Sequence, residues 1–251
     1  MSHPLIEQAD AARFAKEVLG FHPDPVQTQI LQVGHTRGIL NCARQWGKST
    51  VMAIKAFHRA YFVAKSQVLV VSPTERQSGE LVAKAQDFAS DLGLRLKGDG
   101  RNRISIKFPN GSRIIGLPGR YEGNLRGYTA SMLLVDEAAQ VRDEIYNTVR
   151  PMLAATNGEL WLMSTPNGKQ GFFYDEWVNG IEPWLRILAT ADKCPRYAPA
   201  FLLAERRKGE ARFRQEYLGE FTHMQGAMFD EAQIRSCFDD TLNPFIPEGA
   251  K

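Results

Sequence analysis

The chain has 251 residues, 43% hydrophobic and 24% charged, with a formal net charge of +3, which is room for one large domain, or one domain with a small appendage. No apolar run approaches the roughly 18 residues of a membrane-spanning helix, and the N-terminus, with Glu7 and Asp10, lacks the apolar stretch of a signal peptide. Three widely spaced cysteines without C-x-x-C, and five histidines without H-x-x-x-H, argue for reduced thiols and against a disulfide scaffold or a zinc site.

Residues 5–19 group Leu5, Ala9, Ala12, Phe14, Ala15, Val18 and Leu19 towards one face, which predicts an amphipathic helix. A turn follows at 21–25, and Pro25 suits the first position of a helix over Val26–Val33. Gln27 in that helix could read the edge of an adenine, since an amide both donates and accepts; a solvent-exposed glutamine is the plainer alternative.

Arg37–Ala43 is a predicted strand and Lys48–Ala64 a predicted helix. Between them, Cys42-Ala43-Arg44-Gln45-Trp46-Gly47-Lys48-Ser49-Thr50 follows the phosphate-binding pattern G-x-x-x-x-G-K-[ST], with Cys42 in place of the first glycine. Backbone N–H groups of such a loop face phosphate oxygens, Lys48 can reach the β- and γ-phosphates, and Ser49 can ligate Mg²⁺. Arg44 could meet the γ-phosphate or a nearby carboxylate.

Gln67–Val71 is a second expected strand, and Thr74 is a good N-cap for a helix running towards Asp91. Residues 95–126 hold eight basic residues and two acids. Within them, Arg103–Phe108 and Ser112–Leu117 flank Pro109-Asn110-Gly111, a β-hairpin signal. Arg101, Arg103, Lys107, Arg113 and Arg120 make that segment a candidate DNA-binding surface, the alternative being a solvated basic hairpin.

Ser131–Val135, Leu160–Met163 and Leu185–Ala189 are further short apolar runs. The first leads into Asp136-Glu137, where Asp136 could hold Mg²⁺ and Glu137 could polarise an attacking water. The second leads into Ser164-Thr165-Pro166, hydroxyls suited to sensing the γ-phosphate. Apolar strands with little alternation, separated by helices, predict a mostly parallel sheet covered on both faces. After Ala191 the pattern turns helical, over about 198–208 and 210–217.

This set resembles the ATPase domain of large terminase subunits, the DNA-packaging motors of tailed bacteriophages. The resemblance rests on P-x-Q (Pro25, Gln27), A-R-Q-W-G-K-S (Ala43–Ser49), L-R-G (Leu125–Gly127), L-L-V-D-E-A (Leu133–Ala138), S-T-P (Ser164–Pro166) and F-R-Q-E-Y-L-G-E-F (Phe213–Phe221). A loop with an internal arginine and no first glycine is typical of that family.

The resemblance implies an α/β P-loop NTPase fold of the ASCE type with a small helical lid. The core would span residues 1–191 and the lid 192–242, with 243–251 starting a linker to an absent C-terminal nuclease domain. It implies ATP and Mg²⁺ as cofactors, with residues 44–50 and Gln27 around the nucleotide and Ser49 and Asp136 at the metal. Glu137 would be the base, Arg44 a cis arginine, Arg126 a finger acting on a neighbouring subunit, and Ser164-Thr165 the coupling motif. Implied partners are double-stranded DNA, a portal protein, a small terminase subunit and further copies of the chain in a ring, a pentamer, in the cytoplasm of an infected host. A superfamily 2 helicase or translocase shares several motifs but needs a second motor domain, and none fits after residue 191. A nucleotide-gated DNA-binding module without turnover would be expected to lose its base, and Glu137 is present.

Overall fold

The computed structural model describes residues 10–34, 37–119, 125, 127–222 and 236–237. Its first helix, α1 (Ala11–Glu17), starts where the Asp10 carboxylate accepts the N–H of Arg13 at 2.7 Å. It ends two residues before the expected Leu19, and residues 5–9 of the expected helix lie outside the described part. Helix α2 (Pro25–Gln32) opens with a reciprocal cap: Asp24 Oδ1 accepts the Gln27 N–H, and Gln27 Oε1 accepts the Asp24 N–H.

Seven strands follow, β1 (Arg37–Cys42), β2 (Gln67–Ser72), β3 (Ser105–Lys107), β4 (Arg113–Pro118), β5 (Met132–Asp136), β6 (Glu159–Ser164) and β7 (Trp184–Ala189). They form one sheet in the order β3-β4-β2-β5-β6-β1-β7. Only the β3–β4 pair, the expected hairpin, is antiparallel. Successive strand residues feed opposite faces: Leu40, Leu134 and Met163 join one buried cluster, and Ile39, Val135 and Leu162 the other. Burial on both faces is why these strands read as continuous apolar runs, each fully buried aliphatic side chain contributing about 1.5–3 kcal/mol.

Helices α3 (Lys48–Phe62) and α4 (Glu75–Asp91) cover one face with α1 and α2, and α5 (Asp143–Val149) and α6 (Gly171–Val178) cover the other. Thr74 caps α4, accepting the N–H of Gln77. Gly38 of β1 stands opposite Trp161 of β6, and a Cβ there would lie 2.4 Å from the indole, so only glycine admits that ring. Beneath it, Lys55 of α3 is buried. Its ammonium lies 2.9 Å from Glu159 Oε1 and donates to the carbonyls of Ile30 and Val33 at the end of α2. Glu159 also accepts the Trp161 indole N–H at 2.6 Å. One buried ion pair thereby ties α2, α3 and β6 together.

Two further helices, α7 (Pro199–Arg207) and α8 (Glu210–Leu218), fall where the sequence places them. Helix α7 has no fully buried residue, whereas Phe213 and Tyr217 of α8 enter the same apolar cluster as α1–α4.

Candidate active site

Strands β1 and β5 both neighbour β6 and run parallel to it, so the loop after β1 and the carboxylates ending β5 reach the same edge of the sheet. The backbone of the loop alternates in hand: Gln45 (φ +58°) and Gly47 (φ +103°) are left-handed, whereas Arg44 and Trp46 are not. This alternation makes a backbone concavity in which N–H groups converge on an anion. A Cβ on Gly47 would stand 3.2 Å from Gln27 Nε2, so the glycine supplies space as well as freedom. Lys48, Ser49 and Thr50 form the first turn of α3 directly afterwards.

Across from the loop, Lys48 Nζ meets Glu137 Oε1 at 2.7 Å, and Ser49 Oγ lies 3.4 Å from Asp136 Oδ2. Glu137 is left-handed (φ +50°), a cost a non-glycine residue bears where its carboxylate must be aimed. Burial pushes the Asp136 carboxyl up to about 6 and the charge of Glu137 adds to this, while the Lys48 ammonium works against it. Burial disfavours the Lys48 ammonium, yet Cys42, Asp136 and Glu137 together hold its pKa above the usual lysine value.

Cys42 is fully buried, its thiol pushed up to about 12 by burial. The thiol donates to the carbonyl of Ser164 at 3.7 Å. The residue replacing the usual glycine thus joins the loop to the Ser164-Thr165 turn. Ser164 is buried, and its hydroxyl donates to the Thr165 carbonyl at 2.7 Å.

Gln27 is 2% exposed, which removes the solvent-exposed alternative. One lone pair of its amide oxygen serves the α2 cap, and its NH₂ faces Gly47. Arg44 lies in the loop but turns outward, its guanidinium 2.9 Å from Glu216 of α8. Arg126 and Arg120 lie outside the described residues. Among the other candidate DNA contacts, Arg103 pairs with Glu75 and Arg113 with Asp99. Lys107 sits opposite Arg113 at the turn end of the hairpin, on the sheet edge away from the loop.

Three neighbours of the loop went unforeseen. Arg196 donates to the Trp46 carbonyl at 2.5 Å, lies over the Trp46 ring and pairs with Asp24 at 3.1 Å. Tyr197 donates its hydroxyl to the Arg44 carbonyl, and Glu216 receives both the Arg44 N–H and its guanidinium. The capping box was legible in Asp24-Pro25-Val26-Gln27; Arg196 and Tyr197 lie some 150 residues from the loop with no local pattern to mark them, and Glu216 falls in the Phe213–Phe221 run, which does not say that it meets Arg44.

A mostly parallel sheet with the phosphate loop after β1, and a strand between it and the carboxylate-tipped strand, defines a P-loop NTPase fold. The family model for the T4likevirus-type terminase large subunit, N-terminal part, matches residues 39–236, and the chain belongs to that family. The terminase large subunits of Thermus virus P23-45 and Thermus phage G20c are 25% and 24% identical over 249 residues, covering 85% of this chain and 51% of theirs. The chain therefore spans about half the length of these curated relatives. Among solved structures, the large terminase ATPase domain of Thermus phage P74-26 is similar at a TM-score of 0.72 and 23% identity, covering 86% of this chain and all of that one. The large terminase of another thermophilic bacteriophage, in complex with ATP-gamma-S, is similar at 0.64 and 15% identity, covering 84% of this chain and 51% of that one.

Proposed function

We propose that the domain is the ATPase motor of a terminase large subunit, hydrolysing ATP by direct water attack to drive double-stranded DNA into a procapsid. The observation that carries this reading is the cluster of Lys48, Ser49, Asp136 and Glu137 at one sheet edge, beside a loop whose backbone forms an anion-binding concavity.

The residues fit Mg²⁺–nucleotide. Ser49 and Asp136 are hard oxygen donors 3.4 Å apart, and Mg²⁺ bound with phosphates takes only one or two protein ligands beside water. When bound, it would be held by Ser49 and Asp136 and would offset the charge of the phosphates. Lys48 would leave Glu137 for the phosphates, freeing Glu137 to accept the proton of the attacking water. Residues 44–50 would line the phosphates and Gln27 the base. Arg44 would act in cis after leaving Glu216, and Arg126 would reach the site of a neighbouring copy. Ser164-Thr165 would pass the loss of the γ-phosphate to the sheet.

In this reading residues 1–191 are the motor core, 192–242 a lid and 243–251 the start of a linker to a nuclease domain. The reading extends to a portal protein and a small subunit as partners, a ring of copies, proposed as a pentamer, and the cytoplasm of an infected host. Arg101, Arg103, Lys107, Arg113 and Arg120 are its proposed DNA contacts. The deciding experiment mixes Arg126→Ala with Glu137→Gln subunits under assembling conditions. Each alone is inactive, and the mixture recovers part of the ATPase rate if one subunit's finger completes another's site. No recovery counts against a shared site.

A further inference from the structure

A concavity that turns its N–H groups inward turns the intervening carbonyls outward, where each takes a donor from the protein or from water. The donors here are consecutive. Arg196 serves Trp46, and Tyr197 serves Arg44. The anchored carbonyls belong to residues 44 and 46, the two that alternate with left-handed Gln45 and Gly47. Among the described residues, the N–H groups of Gln45, Gly47, Lys48 and Ser49 have no protein acceptor, whereas that of Arg44 is taken by the Glu216 carbonyl and that of Trp46 by the Ala43 carbonyl.

We infer that Arg196 and Tyr197 are positioning residues that hold the phosphate loop in its binding shape by fixing its outward carbonyls. The inference rests on the reading of residues 43–50 as the nucleotide-phosphate loop. Arg196 suits the task because one nitrogen of its planar fork donates to the Trp46 carbonyl while another is ion-paired with Asp24, the residue that caps the Gln27 helix. A tyrosine hydroxyl keeps its proton at neutral pH, and burial raises the Tyr197 pKa further, to about 12, so the group remains a donor.

The test titrates Mg-ATP, Mg-ADP and Mg-GTP against the 251-residue chain and its Arg196→Gln, Tyr197→Phe, Gln27→Ala and Lys48→Ala variants, with melting temperature measured alongside. Tyr197→Phe removes the hydroxyl and leaves the ring on Phe201 and Tyr217, so it decides the matter if Arg196→Gln does not fold. The expected result is a loss of about tenfold in affinity for ATP and ADP alike, about the worth of one hydrogen bond to a fixed group. Preference for ATP over GTP and the melting temperature stay unchanged, while Gln27→Ala alters that preference. Unchanged affinity in folded variants, or a loss that tracks the melting temperature, overturns the inference. If Lys48→Ala also leaves ATP affinity intact, the reading of the loop itself has failed instead.

Discussion

The ammonium of Lys48 lies 2.7 Å from the carboxylate of Glu137, so the residue proposed to grip phosphate holds the residue proposed to activate water. Nucleotide must compete with Glu137 for that cation. Glu137→Gln removes the competing charge and the base together. It should bind ATP several-fold more tightly while turnover falls by roughly 10²–10⁴. Equilibrium binding and steady-state phosphate release on one preparation measure both; weaker binding would mean that the pair does not oppose nucleotide.

Gly47→Ala places a methyl 3.2 Å from Gln27 Nε2 on a residue at φ +103°. Backbone strain of this kind costs about 1–3 kcal/mol, and here it falls on the loop rather than the core. ATP affinity should drop by tenfold or more with the circular dichroism spectrum unchanged. Retained affinity would show that the loop does not use its left-handed turn.

Lys55→Met leaves Glu159 as an unpaired charge in the core, a loss of about 3–5 kcal/mol. Adding Glu159→Gln keeps an acceptor for the Trp161 indole and removes the stranded charge, so part of the stability should return. Urea unfolding of both single variants and the double variant gives the coupling directly. A double variant weaker than the sum of the singles would contradict the pairing.

Burial would raise the Asp99 carboxyl, but hydrogen bonds from Asn102, Arg101 and Ser105 outweigh it and hold the pKa well below the usual aspartate value. A depressed pKa contributes stability that is present above the unfolded value, near 4, and is lost as pH falls through the folded one. Asp99→Asn should therefore unfold more easily at pH 7, with the gap to the parent chain closing below pH 4. Thermal melts at pH 3, 5 and 7 would show this; a gap independent of pH would assign the effect to lost geometry instead of charge.

Much of the fold lay open in the sequence, because strands buried on both faces must be apolar throughout and because Pro25, Thr74 and Pro109-Asn110-Gly111 mark element ends with local chemistry. The loop and the Asp136-Glu137 pair were legible for the same reason: their chemistry demands fixed neighbours in the chain. Contacts made by folding alone were not. Nothing near Lys55 announces Glu159, and the basic run of 95–126 gives no hint that Arg103 and Arg113 meet Glu75 and Asp99. The predicted helix ends ran past the structure's by up to two residues, since Val63 and Val18 continue an apolar pattern after the helix has stopped.

Arg44 is fastened to α8 twice, by its N–H to the Glu216 carbonyl and by its guanidinium to the Glu216 carboxylate. Two sites joined in this way obey linkage, and linkage is reciprocal. If nucleotide draws Arg44 off α8, a ligand of α8 that also favours release of Arg44 raises nucleotide affinity by the same factor by which nucleotide raises its own. A load on the helix and a molecule of ATP in the loop then act as each other's effectors.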